Sequence, residues 1–276
     1  MSWVYLNGAF LPAEEAKIAA GDAGLQHGRG LFETFRARGG AVYRLGEHVA
    51  RLSDGARVLS IALPPALEGL AGIVRELTER CDLADARVRL TLTAGAEGGE
   101  PSLLIQAQPV TGYPAQLYME GVSAVIAATR RNETSPLARV KSLNYLDNLL
   151  SREAARSAGA HEAIFLNTRG LLADGSASNV FLVRGGELLT PPVDDGALPG
   201  ITRAAALDLA RAAGIPAREA SLTEDDLRSA EEAFLTNAVG GVVPLVSVEG
   251  HTVGTGAPGE VTRRVAALYD AAVRCG

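Results

Sequence analysis

The 276-residue sequence predicts an α+β protein of two domains. Short alternating apolar stretches near the start are joined by the tight-turn pairs Asn7-Gly8 and Gly39-Gly40, the signature of antiparallel hairpins. Helical stripes occur in runs of their own rather than alternating strictly with strands, which favours α+β over a doubly wound parallel sheet. The periodic pattern is then interrupted at Pro109–Gln116 by Pro, Gly and Thr, which sets the expected domains at 1–113 and 114–276.

In chain order, Trp3–Asn7 and Ala9–Leu11 read as the first strand pair, followed by the glycine-rich loop Gly21–Gly30, whose glycines suggest a close backbone approach. Leu31–Arg38 and Ala41–Leu45 form the second hairpin. Gly46–Ile61 places Val49, Leu52, Ala56 and Leu59 on one helical stripe, and Ala66–Cys81 turns Leu67, Leu70, Ile73, Val74 and Leu77 inward. Arg87–Thr93 and Ser102–Val110 are strands around the loop at Gly95–Gly99. Past the boundary come strand Val122–Ala127, a helix after Lys141, strand Val180–Val183, helix Ile201–Ala213 after a Pro-Gly, helix Thr223–Ala230 with a capping start, and the closing helix Glu260–Val273.

Composition narrows the function classes. Hydrophobic residues make up 47% and charged residues 21%, as in a folded globular chain. A net charge of −6, with arginines scattered among acids, argues against nucleic acid or an anionic membrane as partner. No apolar run approaches the roughly 18 residues of a spanning helix, and no basic segment leads into an apolar one at the start, so a cytoplasmic protein is expected. Cys81 and Cys275 are too far apart for a CxxC motif, and His27, His48, His161 and His251 are isolated, so no metal site is expected. No GxGxxG follows a strand, and Gly-Lys never occurs, which excludes a Walker A loop.

The chemistry-bearing residues begin with a scarcity. Of the 26 basic side chains only Lys17 and Lys141 are lysines. Arginine stays protonated, whereas a partly buried lysine shifts its pKa and can form a Schiff base. Lys17 lies beside Glu14 and Glu15 and reads as surface. Lys141 sits between Val140 and Leu143, just before a helix, and is the candidate amine. Asp174, 33 residues on in LLADGSASN, supplies a carboxylate, although Asp-Gly-Ser is also an ordinary turn sequence. An anion cradle is placed at Ala197–Arg203, where Gly200 opens the backbone and Ile201-Thr202 begin a helix with free N–H groups. Thr202 adds a hydroxyl there, and Arg51 adds a charge-assisted contact.

These residues resemble the class IV aminotransferases, the fold-type IV pyridoxal phosphate enzymes. The resemblance runs through GDAGLQHGRGLFET, RLGEHVARLSDGA, VKSLNYLDNLLSREAARSAGAHEAIFLN, GSASNVFLV, ALPGITR and FLTNAVGGVVPLVSVEG. It implies a smaller N-terminal α/β domain, a larger C-terminal domain carrying the lysine, pyridoxal 5'-phosphate as cofactor, a small amino-bearing substrate, and a homodimer. It makes Lys141 the Schiff-base lysine and proton shuttle, Asp174 the partner of the pyridine nitrogen, and Asn179 a structural residue. Arg51, Tyr145, Gly200, Ile201, Thr202, Asn237 and Ala238 would bind the cofactor. Arg29, Phe32, Arg89, Val239 and Gly240 would meet the substrate, with Arg87 a further candidate for its carboxylate. One departure stands out: the family usually has Glu where this chain has the shorter Asp174. Within the family, FLTNAVGGVVP looks most like the 4-amino-4-deoxychorismate lyases, which form p-aminobenzoate and pyruvate. The alternative is a transaminase acting on branched-chain L- or D-amino acids with 2-oxoglutarate, and a third reading is an idle relative that binds the cofactor.

Overall fold

A computed structural model describes residues 2–275. The chain forms two compact units. The first runs to Thr111 and takes back Val140–Asn144, and the second comprises Gly112–Arg139 and Tyr145–Cys275.

In the first unit, β1 (Trp3–Leu6) and β2 (Ala9–Pro12) form the first hairpin, and α1 (Ala23–His27) follows. Then come β3 (Gly30–Arg38), β4 (Ala41–Val42), α2 (Leu45–Leu59), α3 (Leu70–Arg80), β5 (Asp85–Thr93) and β6 (Ser102–Pro109). The strands make one antiparallel sheet in the order β2-β1-β6-β5-β3-β4. One face carries Phe35, Ala37, Val88, Leu90, Leu103 and Ile105 into a core against Leu52 and Ala56 of α2 and Leu70, Val74 and Leu77 of α3. The predicted helix from Ala66 starts instead as a 3-10 turn, Pro65–Gly69, because Pro64-Pro65 presets the first turn. The second strand of the Gly39-Gly40 hairpin is cut to Ala41–Val42, since Arg44 takes a left-handed φ of 54° before α2.

The glycine-rich loop hides α1, too short for a periodic signal. Asp22, fully buried, caps it by accepting from Gly24 N–H at 2.7 Å, and also receives Thr93 Oγ1 at 2.6 Å. The close approach that the glycines suggested is to the Lys141 segment. A Cβ on Gly30 would lie 2.6 Å from Leu143 Cδ1, and one on Gly28 2.6 Å from Asn144 Oδ1. Residues 141–143 run antiparallel to β3, with Phe32 N–H donating to Lys141 O and Leu143 N–H to Gly30 O, both at 2.9 Å. Lys141, expected on the C-terminal domain, therefore belongs with the N-terminal sheet. These backbone bonds claim the edge of β3 that β4 leaves uncovered.

The second unit contains α4 (Ala115–Glu120), β7 (Val122–Ile126), α5 (Leu146–Ser157), β8 (Glu162–Leu166), β9 (Leu172–Gly175) and β10 (Asn179–Arg184). It continues with β11 (Glu187–Thr190), α6 (Ile201–Ala212), β12 (Ala217–Glu219), α7 (Glu224–Arg228), β13 (Glu232–Asn237), β14 (Gly241–Val248), β15 (His251–Thr252) and α8 (Glu260–Cys275). The nine strands form a mixed sheet in the order β12-β11-β10-β13-β14-β7-β8-β9, with β15 paired to β14. β8, β9 and most of β10 are buried on both sides, hence the unbroken apolar runs AIFL and VFLV. The capping box expected at Thr223 is present, with Thr223 and Asp226 bonding each other's backbone N–H. No described helix is long and apolar enough to cross a membrane.

Candidate active site

In the first unit the site is organised by Phe32, which is 4% exposed. Its ring lies 4.4 Å from Lys141 Nζ and 4.0 Å from Arg89 Cζ, measured to the centroid. Both cations thus rest on one aromatic ring, an arrangement that a desolvated ring face favours. Sheet register produces it: Arg89 lies opposite Thr34, two residues from Phe32, on the face that β3 and β5 turn away from the core. Arg87 lies opposite Arg36 on the same face, with its Nη1 3.5 Å from Gln108 Oε1.

Arg51 projects from α2 onto Glu33, its Nε donating to Oε1 at 2.9 Å and Nη2 to Oε2 at 2.6 Å. His48 Nδ1 meets the same Oε2 at 2.8 Å. Burial opposes ionisation of Glu33, but Arg51 and His48 outweigh it and bring its pKa down to about 2. The position proposed from sequence for Arg51 is thus one in which its guanidinium is held rigidly by a carboxylate. Arg29 is used differently. It is exposed, and its guanidinium donates to the carbonyls of Leu59, at 3.2 and 3.1 Å, and Ser60, at 3.1 Å, closing the C-terminal end of α2.

In the second unit, Asp174 lies on β9 and is 6% exposed. Its Oδ1 accepts from Arg131 Nη2 at 2.9 Å and its Oδ2 from Leu198 N–H at 3.2 Å. Burial raises its pKa, and Arg131 only partly offsets this. Arg131 escaped the sequence reading because an arginine 43 residues before its partner, in a chain rich in arginine, carries no local signal. Tyr145 donates its hydroxyl to Ser176 O at 2.7 Å, and Asn148 Nδ2 donates to the same oxygen at 2.8 Å. Burial, followed by the charge of Asp174, holds the Tyr145 hydroxyl protonated well above the ordinary tyrosine range. Below the Ser176–Ser178 turn lies the buried Glu162, which accepts from both serine hydroxyls and from the N–H groups of Ala163 and Ser176.

The stretch Leu198–Thr202 connects the carboxylate to the anion cradle. Leu198 N–H binds Asp174, Leu198 O accepts from Asn179 Nδ2 at 2.9 Å, and Gly200 then begins α6 with no side-chain cap. A Cβ on Gly200 would lie 2.0 Å from Asn179 Oδ1, so only glycine lets the backbone pass. The uncapped first turn at Ile201 and Thr202 is the part of the fold suited to a phosphate, through N–H groups and helix dipole. Thr236, opposite Asn179 in the β10–β13 register, has a buried hydroxyl with no hydrogen-bond partner among the described residues, a further donor for an anionic group. The structure therefore fits a phosphate-bearing cofactor. In the next turn Asn237 Oδ1 accepts from Val239 N–H at 3.1 Å and Gly240 N–H at 2.7 Å, so those two amides are occupied by their own loop.

Comparison with known proteins agrees with this arrangement. The family model for amino-transferase class IV matches residues 30–248. The branched-chain-amino-acid aminotransferase of Escherichia coli K12 is 32% identical, over 95% of this chain and 90% of that protein. The D-alanine aminotransferase of Bacillus licheniformis is also 32% identical, over 95% of this chain and 94% of its own length. A solved branched-chain amino acid aminotransferase from T.th., complexed with N-(5'-phosphopyridoxyl)-L-glutamate, superposes with a TM-score of 0.90 at 29% identity, covering 98% of this chain and 93% of that one. The two-unit α/β architecture is accordingly that of fold-type IV. These relatives are aminotransferases, which favours the transaminase over the lyase that the FLTNAVGGVVP block suggested. A carboxylate, an anion cradle and a lysine in matching blocks, with relatives aligned almost end to end, place the chain in the class IV aminotransferase family.

Proposed function

We propose that this enzyme transfers the α-amino group between an amino acid and 2-oxoglutarate, with branched-chain L- or D-amino acids as the donor class. The carrying observation is the pair of basic side chains on Phe32: Lys141 and Arg89 share one ring, which suits an α-amino acid whose amine and carboxylate sit on one carbon. As a class IV aminotransferase the enzyme uses pyridoxal 5'-phosphate, which when bound carries the amino group in transit and draws electrons from the substrate α-carbon.

The chain's own residues do the rest. Lys141 Nζ holds the cofactor and moves the proton at the α-carbon. Asp174 accepts a hydrogen bond from the pyridine nitrogen and so favours its protonated form. Tyr145, beside Asp174, lines the cofactor as a neutral residue whose hydroxyl is held by Ser176 O. Ile201 and Thr202 bind the phosphate from the start of α6, and Arg51 and the Asn237-Ala238 turn take the cofactor-binding roles that the family resemblance gives them. Arg89 receives the substrate carboxylate. The Val239 and Gly240 amides, engaged by Asn237, do not compete for that role. The enzyme works as a homodimer, a reading supported by Leu146, Leu149 and Leu150 of α5, which are 65%, 56% and 55% exposed in the single chain.

The test is product analysis. Holoenzyme is incubated with the D and L forms of leucine, valine and alanine plus 2-oxoglutarate, and separately with 4-amino-4-deoxychorismate. Glutamate and the matching 2-oxo acid are expected, with the productive series reporting stereochemistry. Pyruvate and p-aminobenzoate, without amino transfer, would establish the lyase instead.

A further inference from the structure

Asp174 is shorter than the glutamate that the family resemblance leads one to expect, and it is buried. A short carboxylate has less freedom to find its partner, and a buried one tends to take up a proton. The surrounding residues supply a remedy for both. Arg131 is built into a slot: its N–H donates to Leu166 O at 2.9 Å, and its Nη1 donates to Asn148 Oδ1 at 3.2 Å. Its guanidinium carbon lies 4.2 Å from the centroid of Phe165, and its Cγ lies where a Cβ on Gly196 would come within 2.9 Å. Gly196 has a φ of +95°, which suits glycine there on backbone grounds too. Arg131 Nε is buried without a hydrogen-bond partner among the described residues, so the slot favours this one direction of the guanidinium even at the cost of an unmade bond.

From that slot Nη2 reaches Asp174 Oδ1. The other ionisable groups acting on Asp174 are Glu162 and Tyr145. Glu162 opposes a second negative charge, and Tyr145 is held protonated by burial. Arg131 is thus the cation that acts on this carboxylate, and it is the group placed to aim it.

We propose that Arg131 is a positioning residue for the amino-transfer reaction: it fixes the direction of the short Asp174 carboxylate and keeps it ionised as the partner of the pyridine nitrogen. The inference rests on the role given to Asp174 under Proposed function. Without Arg131 the buried carboxylate takes up a proton more readily and, once protonated, stops accepting a hydrogen bond, because a lone buried charge is far more costly than a paired one.

The test compares Arg131→Met, Arg131→Gln and Arg131→Lys, each alone and with Asp174→Asn. The first readout is the cofactor dissociation constant, followed through its visible absorption without substrate at neutral and mildly alkaline pH. The second is the pH profile of kcat. With Met or Gln, the dissociation constant should rise about tenfold or more at neutral pH, on the scale of ~1.4 kcal/mol per factor of ten, and recover toward wild type when alkali ionises Asp174. The acid limb of kcat should move upward in pH. Lys should restore both readouts in large part, and in the Asp174→Asn background the Arg131 changes should add little. Gln, which retains hydrogen-bonding groups but no charge, covers the case in which Met fails to fold. Losses equal at both pH values, absence of rescue by Lys, or the same loss with Asp174→Asn would mean that Arg131 only packs, and would overturn the proposal. Because cofactor binding is read without substrate, a failure of amino transfer with this pH pattern intact would count against the proposed function alone.

Discussion

Glutamine at position 33 is the sharpest perturbation of the first unit. Glu33 is 1% exposed and shares its two oxygens among Arg51 Nε, Arg51 Nη2 and His48 Nδ1. With its pKa depressed from 4.5 to about 2, at ~1.4 kcal/mol per pKa unit the ionised form contributes about 3 kcal/mol to folding. The sign follows from a depressed carboxylate: the contribution is complete above the unfolded pKa and is lost as pH falls from about 4.5 toward about 2. Glu33→Gln removes it and takes the charged partner from the partly buried Arg51 and from His48, so the neutral-pH loss should be about 3–5 kcal/mol. The single tryptophan, Trp3, packs against the first unit's core, so urea unfolding followed by its fluorescence reports on this unit. Wild type should lose stability across the acid range, whereas the variant should start lower and show a flatter acid limb. Equal neutral-pH stability, within ~0.5 kcal/mol, together with the same acid limb, would refute the reasoning. Because Glu33 also holds Arg51, the cofactor dissociation constant should rise in the same variant.

Four further outcomes are expected. Lys141→Arg keeps the charge but removes the reactive amine, so the bound cofactor's visible absorption should change and turnover should fall by at least ~10²–10⁴, as read by spectrum and coupled assay. Arg89→Leu should raise KM for the amino acid about 10- to 100-fold, the scale of a charge-assisted hydrogen bond, with cofactor affinity unchanged in an absorbance titration. Asp174→Asn should still bind cofactor yet lose turnover by roughly 10² or more; near-wild-type kcat would remove Asp174 from its role. Gly200→Ala forces a Cβ to 2.0 Å from Asn179 Oδ1 and should cost about 1–3 kcal/mol, seen as a lower melting temperature and weaker cofactor binding.

Much of the fold was legible because it is local. Leu67, Leu70, Val74 and Leu77 recur at helical spacing and are buried together, and the Asn7-Gly8 turn with its flanking alternation required only nearest neighbours. The capping box at Thr223 is likewise contained within four consecutive positions. The spaced blocks, through their resemblance to a known family, were enough to indicate the family and its cofactor. Tertiary structure decided what depends on distant partners. The five residues at 140–144 return to the first sheet because Gly28 and Gly30 leave room for them across more than a hundred positions. Arg29, a candidate for substrate, closes a helix whose end lies 30 residues away. The Val239 and Gly240 amides turn onto Asn237, and Arg131 reaches Asp174 from the loop after β7. Periodicity and turn chemistry are properties of neighbouring residues and can be read from order alone. The direction of a guanidinium, and the charge a buried carboxylate can keep, are set by groups that only folding brings within a few ångströms.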